Sequence, residues 1–292
     1  MYRALADAIS DAEARGTSLS VVALDLESQD QGRSVDDIRA ALARALHVMR
    51  GAVDAGMTGE MRSNSGLVGG DAAKLVNSSA GPLAGTPFHD ILVRALAVQE
   101  VNSAMGVIVA APTAGGAGVL PAVLTGLAVA RGIPDERVID ALATAGLIGA
   151  VIAERASLSG AEGGCQAETG AAAAMAAGSA TEMLGGSPRQ AGHATALAMQ
   201  STLGLVCDPI GGLVELPCVF RNATGSAIAL AAIEMALADI EFAIPADEVI
   251  DVMGQIGREM DVRYRETAGG GLAATPTGRR LARERLYQIK RG

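Results

Sequence analysis

Half of the 292 residues are apolar, yet aromatics make up only 2% and tryptophan is absent, so any core must be built from Ala, Leu, Val, Ile and Met, with 37 glycines permitting close helix approach. The formal net charge is −9, from 23 basic and 32 acidic residues, and lysine occurs only at 74 and 290, which excludes the dense basic footprint of a nucleic-acid binder. The longest apolar windows, 117–130 and 141–153, fall short of the ~20 residues of a spanning helix, and residues 1–20 carry Arg3, Asp7, Asp11, Glu13 and Arg15 where a signal peptide would be apolar; the expectation is a cytoplasmic protein, with reduced thiols and no membrane contact.

Residues 1–33 read as a peripheral N-terminal segment, with a β-like run at Ser20–Leu24. Ser34–Ala55 reads as a helix, capped by Ser34, with Asp36 and Asp37 in its first turn and Ile38, Leu42, Leu46 and Met49 on one face. A glycine-rich loop, Ser63–Asp71, precedes Lys74. Thr86-Pro87 opens a helix to about Ala104, and Gly106–Ala111 is the second β-like run, leading into the loop Pro112–Gly118. Pro134-Asp-Glu starts a helix through Glu154. After the loop Ser159–Gly164 comes an alanine-rich helix to Leu184, and Ser187-Pro188 caps the next, to about Thr202. The loop Pro209–Gly212 is followed by helices over Asn222–Phe242 and Pro245–Gly257. A fifth glycine loop, Ala268–Gly271, leads to a last helix from Thr275-Pro276, where the basic residues of 279–285 form a solvated face. The chain therefore reads as mainly α, a single compact multi-helix domain over 1–292 with few or no strands. Loop glycines let backbone N–H groups approach a ligand, and five such loops favour a shared site.

The cysteines are Cys165, Cys207 and Cys218, spaced Cys-x41-Cys-x10-Cys. Three thiols cannot all pair as disulfides, whereas three thiolates can hold a cubane iron–sulfur cluster with one iron left free. Each lies beside Gly, Pro or an acid rather than in an apolar helical stripe, although small buried hydrophobes remain the bland alternative. For zinc, none of His47, His89 and His193 falls at customary ligand spacing. Lys74 can bind substrate or transfer a proton, and so can Glu162, three residues before Cys165; Ser65, Thr113 and Asn222 are polar candidates for holding a substrate. A PLP-dependent lyase with Lys74 as Schiff base is a competing reading, but it leaves the cysteines idle and expects a strand-rich core. An electron-transfer module is another; its irons are usually saturated by four cysteines.

Four segments carry a family resemblance: Ser159-Gly-Ala-Glu-Gly-Gly-Cys165-Gln, Gly204-Leu-Val-Cys207-Asp-Pro through Leu216-Pro-Cys218-Val-Phe-Arg-Asn222, Ala111-Pro-Thr-Ala-Gly-Gly-Ala-Gly-Val-Leu-Pro121, and Arg265-Glu-Thr-Ala-Gly-Gly-Gly-Leu-Ala-Ala-Thr-Pro276. From roughly residue 50 onward the chain resembles the α subunit of the iron–sulfur-dependent L-serine dehydratases, of the two-subunit type. The resemblance implies a largely helical α part in which Cys165, Cys207 and Cys218 ligate a [4Fe–4S] cluster whose open iron acts on the hydroxyl of L-serine, yielding pyruvate and ammonia. It further implies a separate β subunit contributing to the active site, with a homo-oligomer also allowed; cysteine and threonine are alternative substrates of the same elimination. The chain departs from some relatives in reading Met199-Gln-Ser-Thr202 where they show Glu-His. It also ends Gln288-Ile-Lys-Arg-Gly292, without a tail thiol for the fourth iron.

Overall fold

The computed structural model describes residues 2–289, with side chains through Arg285; Lys290–Gly292, the end of the tail noted above, lies outside the described residues. The described residues form thirteen α-helices: α1 (Leu5–Arg15), α2 (Leu19–Gln31), α3 (Val35–Met57), α4 (Asp71–Val76), α5 (Thr86–Ser103), α6 (Val119–Arg131), α7 (Asp135–Arg155), α8 (Gly160–Gly163), α9 (Ala171–Met183), α10 (Pro188–Gln200), α11 (Cys218–Leu237), α12 (Ala246–Glu259) and α13 (Pro276–Ile289). Strands are absent among these residues, apart from one isolated parallel bridge between Cys207 and Arg265. The all-helical expectation holds, and the two β-like runs do not.

Ser20–Leu24 lies inside α2. Its valines are overridden by the N-cap Ser18, which accepts from Val21 N–H, and by the burial of Leu19, Val22 and Leu24. Gly106–Ala111 is extended but unpaired; Ile108 and Val109 instead pack on neighbouring core clusters. Helix starts follow local chemistry more closely. Ser34 accepts from Asp37 N–H at 3.1 Å, and Ser187 forms a full capping box with Gln190. α11 begins at Cys218, four residues before the expected Asn222, and ends at Leu237, where Asp239 turns the chain at φ 58°.

The core is centred on α9. All of its residues, from Ala171 to Met183, are buried, and it is surrounded by α6, α7, α10 and α11. An alanine side chain removes little area from water, at about 25 cal/mol per Å², so stability depends on how closely the helices approach. Glycines set that approach: a Cβ on Gly178 would crowd Thr195, Ile148 and the carbonyl of Ala191. The most apolar stretch, 114–131, is 78% buried within the fold, the environment of a core helix.

Residues 2–33, from the segment expected at the periphery, are instead tied into this body. Leu5, Ala8, Ala12 and Leu19 are buried against the core, and two acids from distant helices take the orphan N–H groups of α1 and α2. Asp247 of α12 accepts from Leu5 and Ala6 N–H at 2.7 and 3.0 Å, while Glu182 of α9 accepts from Leu19 and Ser20 N–H at 2.7 and 3.1 Å. Glu100 does the same for α4, accepting from the N–H groups of Gly70 and Ala72, both at 3.0 Å. Each pairing places a carboxylate at the positive end of a helix.

Candidate active site

The three cysteines come from three different backbone environments at one end of the helical body. Cys165 leads into a five-residue π turn, Gln166–Gly170, that runs straight into α9. Cys218 is the first residue of α11. Cys207 sits in the loop between α10 and α11, strapped to the 264–266 segment: its N–H donates to Tyr264 O at 2.8 Å and its carbonyl accepts from Glu266 N–H at 2.9 Å. All three are buried, at 2%, 1% and 4% exposure. Two of them stand at helix starts, where the backbone N–H groups favour a thiolate.

Glu168 lies among them: its Oε2 is 3.9 Å from Cys207 Sγ, and its charge acts on all three thiols. Burial pushes Cys207 far up from the usual thiol value, and Cys165, Glu168 and Cys218 push it further. Cys218 is pushed up to about 12, by burial and then by Cys165 and Glu168, with Arg221 opposing. Burial also raises Cys165, against the hydrogen bond to Thr169 and the charge of Arg221; the Cys165 Sγ to Thr169 Oγ1 distance is 3.2 Å. Each thiolate thus makes the next harder to form, and a cationic centre among them would relieve that repulsion.

Polar tethers bring the glycine loops to this point. Asp208, fully buried, pairs with Arg221 at 2.8 Å and accepts from Leu272 N–H at 2.7 Å, drawing the 268–271 loop against the Cys207 loop. Arg221 also donates to Val206 O at 2.8 Å. Glu215, between Cys207 and Cys218 in the chain, accepts from Ser63 Oγ at 2.8 Å and from Ser65 Oγ, which holds the 63–71 loop beside the start of α11. Glu168 accepts from Thr113 Oγ1 at 2.7 Å, and a Cβ on Gly115 or Gly160 would lie 2.9 or 2.6 Å from its carboxylate oxygens. Only glycine leaves that carboxylate its place.

The residues singled out from sequence are sorted by this geometry. Thr113 reaches the site and positions Glu168. Asn222 is buried and engaged with backbone, donating to Gly115 O at 2.7 Å and Cys218 O at 2.9 Å and accepting from Gly118 N–H at 2.9 Å; it latches the 112–118 loop to α11. Ser65 is held by Glu215. Lys74 lies on the exposed face of α4, 74% exposed and paired with Asp71 at 2.7 Å, which removes the footing for a buried Schiff-base lysine. Glu162 is exposed and accepts from Ser157 Oγ at 2.6 Å, while Glu168 takes the place among the thiols. Sequence reading missed Glu168, Asp208, Glu215 and Arg221. The available signal was that all four are charged residues within three positions of a cysteine.

The donor set fits an iron–sulfur cubane. Among the described residues no three His, Cys, Asp or Glu side chains are grouped closely enough to share one metal ion. A cubane does not require that, because each thiolate binds its own iron. Three converging buried thiols, mutually destabilised as thiolates, are the ligand set such a cluster takes.

The model of the serine dehydratase alpha chain family matches residues 14–273, reaching further toward the N-terminus than the resemblance noted above. The chain is 46% identical over 286 residues to the probable L-serine dehydratase alpha chain of Bacillus subtilis, covering 97% of this chain and 95% of that one. It is 38% identical over 276 residues to the L-serine dehydratase alpha chain of Peptoniphilus asaccharolyticus, covering 94% of each. With the L-serine dehydratase of Streptomyces coelicolor it shares 43% identity over 266 residues, 89% of this chain but 58% of that longer one.

Proposed function

The chain belongs to the serine dehydratase alpha chain family, and from that membership together with the thiol site we propose that it converts L-serine to pyruvate and ammonia using a [4Fe–4S] cluster on Cys165, Cys207 and Cys218. The elimination removes the Cα proton and the β-hydroxyl as water; the resulting 2-aminoacrylate tautomerises to an imine, which hydrolyses to pyruvate and ammonia. When bound, the cluster supplies a Lewis-acidic iron, free of protein ligand, to stabilise the departing hydroxyl oxygen.

The chain's own residues do the positioning. Glu168 is half-buried beside the thiols, and its carboxyl is raised above the ordinary range by desolvation, against the hydrogen bond from Thr113. A substrate ammonium group placed there offsets that desolvation, so Glu168 is assigned to bind the amine, with Thr113 holding its second oxygen. Arg221 balances negative charge next to Cys165 and, through Asp208, fixes the Cys207 loop. Gly115 and Gly160 keep the space around Glu168 open. The alpha-chain names of the relatives, and the longer single-chain relative, support a separate β chain that completes the active site. A reducing compartment such as the cytoplasm suits three unpaired thiols.

The convergence of the three buried thiols carries this reading. Its test is anaerobic iron and sulfide analysis of the chain, combined with pyruvate formation from L-serine, L-threonine and L-cysteine, with and without the β chain. The expected result is about four irons and four sulfides per chain, turnover of serine above the other two, and loss of both iron and turnover in Cys207→Ala. Full activity in that variant, or serine turnover by iron-free protein, overturns the proposal.

A further inference from the structure

A cavity of about 340 Å³ lies against α8 and is lined by none of the three cysteines. The short helix borders both the Cys207 thiol and this cavity. A Cβ on Gly160 would lie 3.2 Å from Cys207 Sγ, whereas Ala161, Glu162 and Gly163 line the cavity. Its opposite walls are α12, from Met253 to Arg258, and Arg265.

Two arginines, Arg258 and Arg265, line this cavity together with Glu162. The Arg265 Nε is enclosed and bonded to nothing; its charge acts through space on Asp261, and among the described residues the Arg258 side chain makes no hydrogen bond or ion pair. The strap that pairs Tyr264 and Glu266 with Cys207 fixes the backbone of Arg265 between them. Arg258 folds back along α12: its Nη1 lies 3.2 Å from the position of a Cβ on Gly254, so glycine at 254 leaves the guanidinium its room. One turn on, a Cβ on Gly257 would lie 2.8 Å from Gly163 Cα, which is how closely α12 approaches α8. Glu162 is held by the 2.6 Å hydrogen bond from Ser157 Oγ.

We propose that this cavity binds a free α-amino acid, its carboxylate taken by Arg258 and Arg265 and its ammonium group by Glu162. A simple anion would leave Glu162 as a like-charged neighbour, and a simple cation would face two guanidiniums; a zwitterion satisfies both signs. Arginine suits the carboxylate because its planar fork donates two parallel N–H bonds. The volume lies in the range of small-molecule sites, about 300–1,000 Å³. Such a ligand would rest against α8, which also borders Cys207.

Isothermal titration of the full chain with glycine tests this. Glycine has no β-hydroxyl to eliminate, so the result stands apart from the serine reaction. One saturable site is expected, with affinity at least tenfold above that for acetate or methylammonium. Affinity should fall at least tenfold in Arg265→Gln and in Glu162→Gln, and stay unchanged in Glu168→Gln. Glu162 is exposed, so its variant keeps the test valid if the Arg265 variant fails to fold. Absence of saturable binding, acetate binding as tightly as glycine, unchanged affinity in Glu162→Gln, or loss of binding in Glu168→Gln, which would move the ligand to the thiols, overturns the proposal.

Discussion

The body around α9 and the loop end around Cys207–Cys218 are held together by different forces. In α9 two polar side chains turn back on their own helix: Ser179 and Thr181 bond the carbonyls of Met175 and Ala177, at 2.7 and 2.8 Å. Cohesion there comes mostly from small apolar surfaces brought close by glycine, with one buried acid, Glu182, tying in the start of α2. At the loop end, acids carry most of that task. Glu215, Asp208 and Glu168 each join segments distant in sequence, and each is anchored by hydroxyls, backbone N–H groups or an arginine rather than by packing. Burying charge is costly unless it is paired, so these contacts specify the shape of a site more than they add to stability. The contrast separates the part of the molecule that keeps it folded from the part that gives the thiols their arrangement.

The sharpest way to break that contrast is Asp208→Ala. It leaves the half-buried Arg221 without its carboxylate partner and frees Leu272 N–H, and the expected loss is about 3–5 kcal/mol, read by chemical denaturation. A loss below about 1 kcal/mol would show that the tether behaves like a surface ion pair. Next in size is one substitution made in both regions, at glycines whose backbone accepts alanine. Gly178→Ala gains about 1 kcal/mol of helix propensity, but the crowding of Thr195, Ile148 and Ala191 O makes it a net loss of about 1–3 kcal/mol. Gly160→Ala pushes on Glu168 and Cys207 instead; stability should change by less than about 1 kcal/mol while iron retention falls. Equal stability losses in the two variants would erase the distinction.

The smallest expected effect is a pH dependence at Glu100. Desolvation raises its pKa, against three backbone N–H donors from Gly70, Asp71 and Ala72. A raised folded-state value means that the folded chain binds this proton more tightly than the unfolded chain does. The group's contribution to stability is therefore present below the ordinary carboxylate value and declines as pH climbs from there through the raised one. Glu100→Gln should flatten that decline in a series of denaturation curves; an unchanged slope would place the ionisation elsewhere.

Much of this was open to reading in the chain itself. Ser34 and Ser187 mark helix starts because a capping hydroxyl acts within three residues, and the alanine-rich run of 171–183 has no credible alternative to a buried helix. The cysteine trio and the motifs around it identify the family, from which the proposed ligand role of the three thiols is drawn. What failed was phase and direction. Ser20–Leu24 reads as a strand from its valines, yet the local cap Ser18 and the burial of Leu19, Val22 and Leu24 make it helical, with Glu182, more than 150 residues away, taking two further N–H groups. The sequence points to Glu162 and passes over Glu168, although both lie three residues from Cys165; α8 ends at Gly163 and a π turn follows, and no helical period carries through such a break. Composition, caps and motifs are local or nearly so, which is why sequence alone determined an all-helical chain of this family. Which acid meets the thiols, where Lys74 points and which loops Asp208 and Glu215 join depend on contacts between distant segments, and only the tertiary structure decided them.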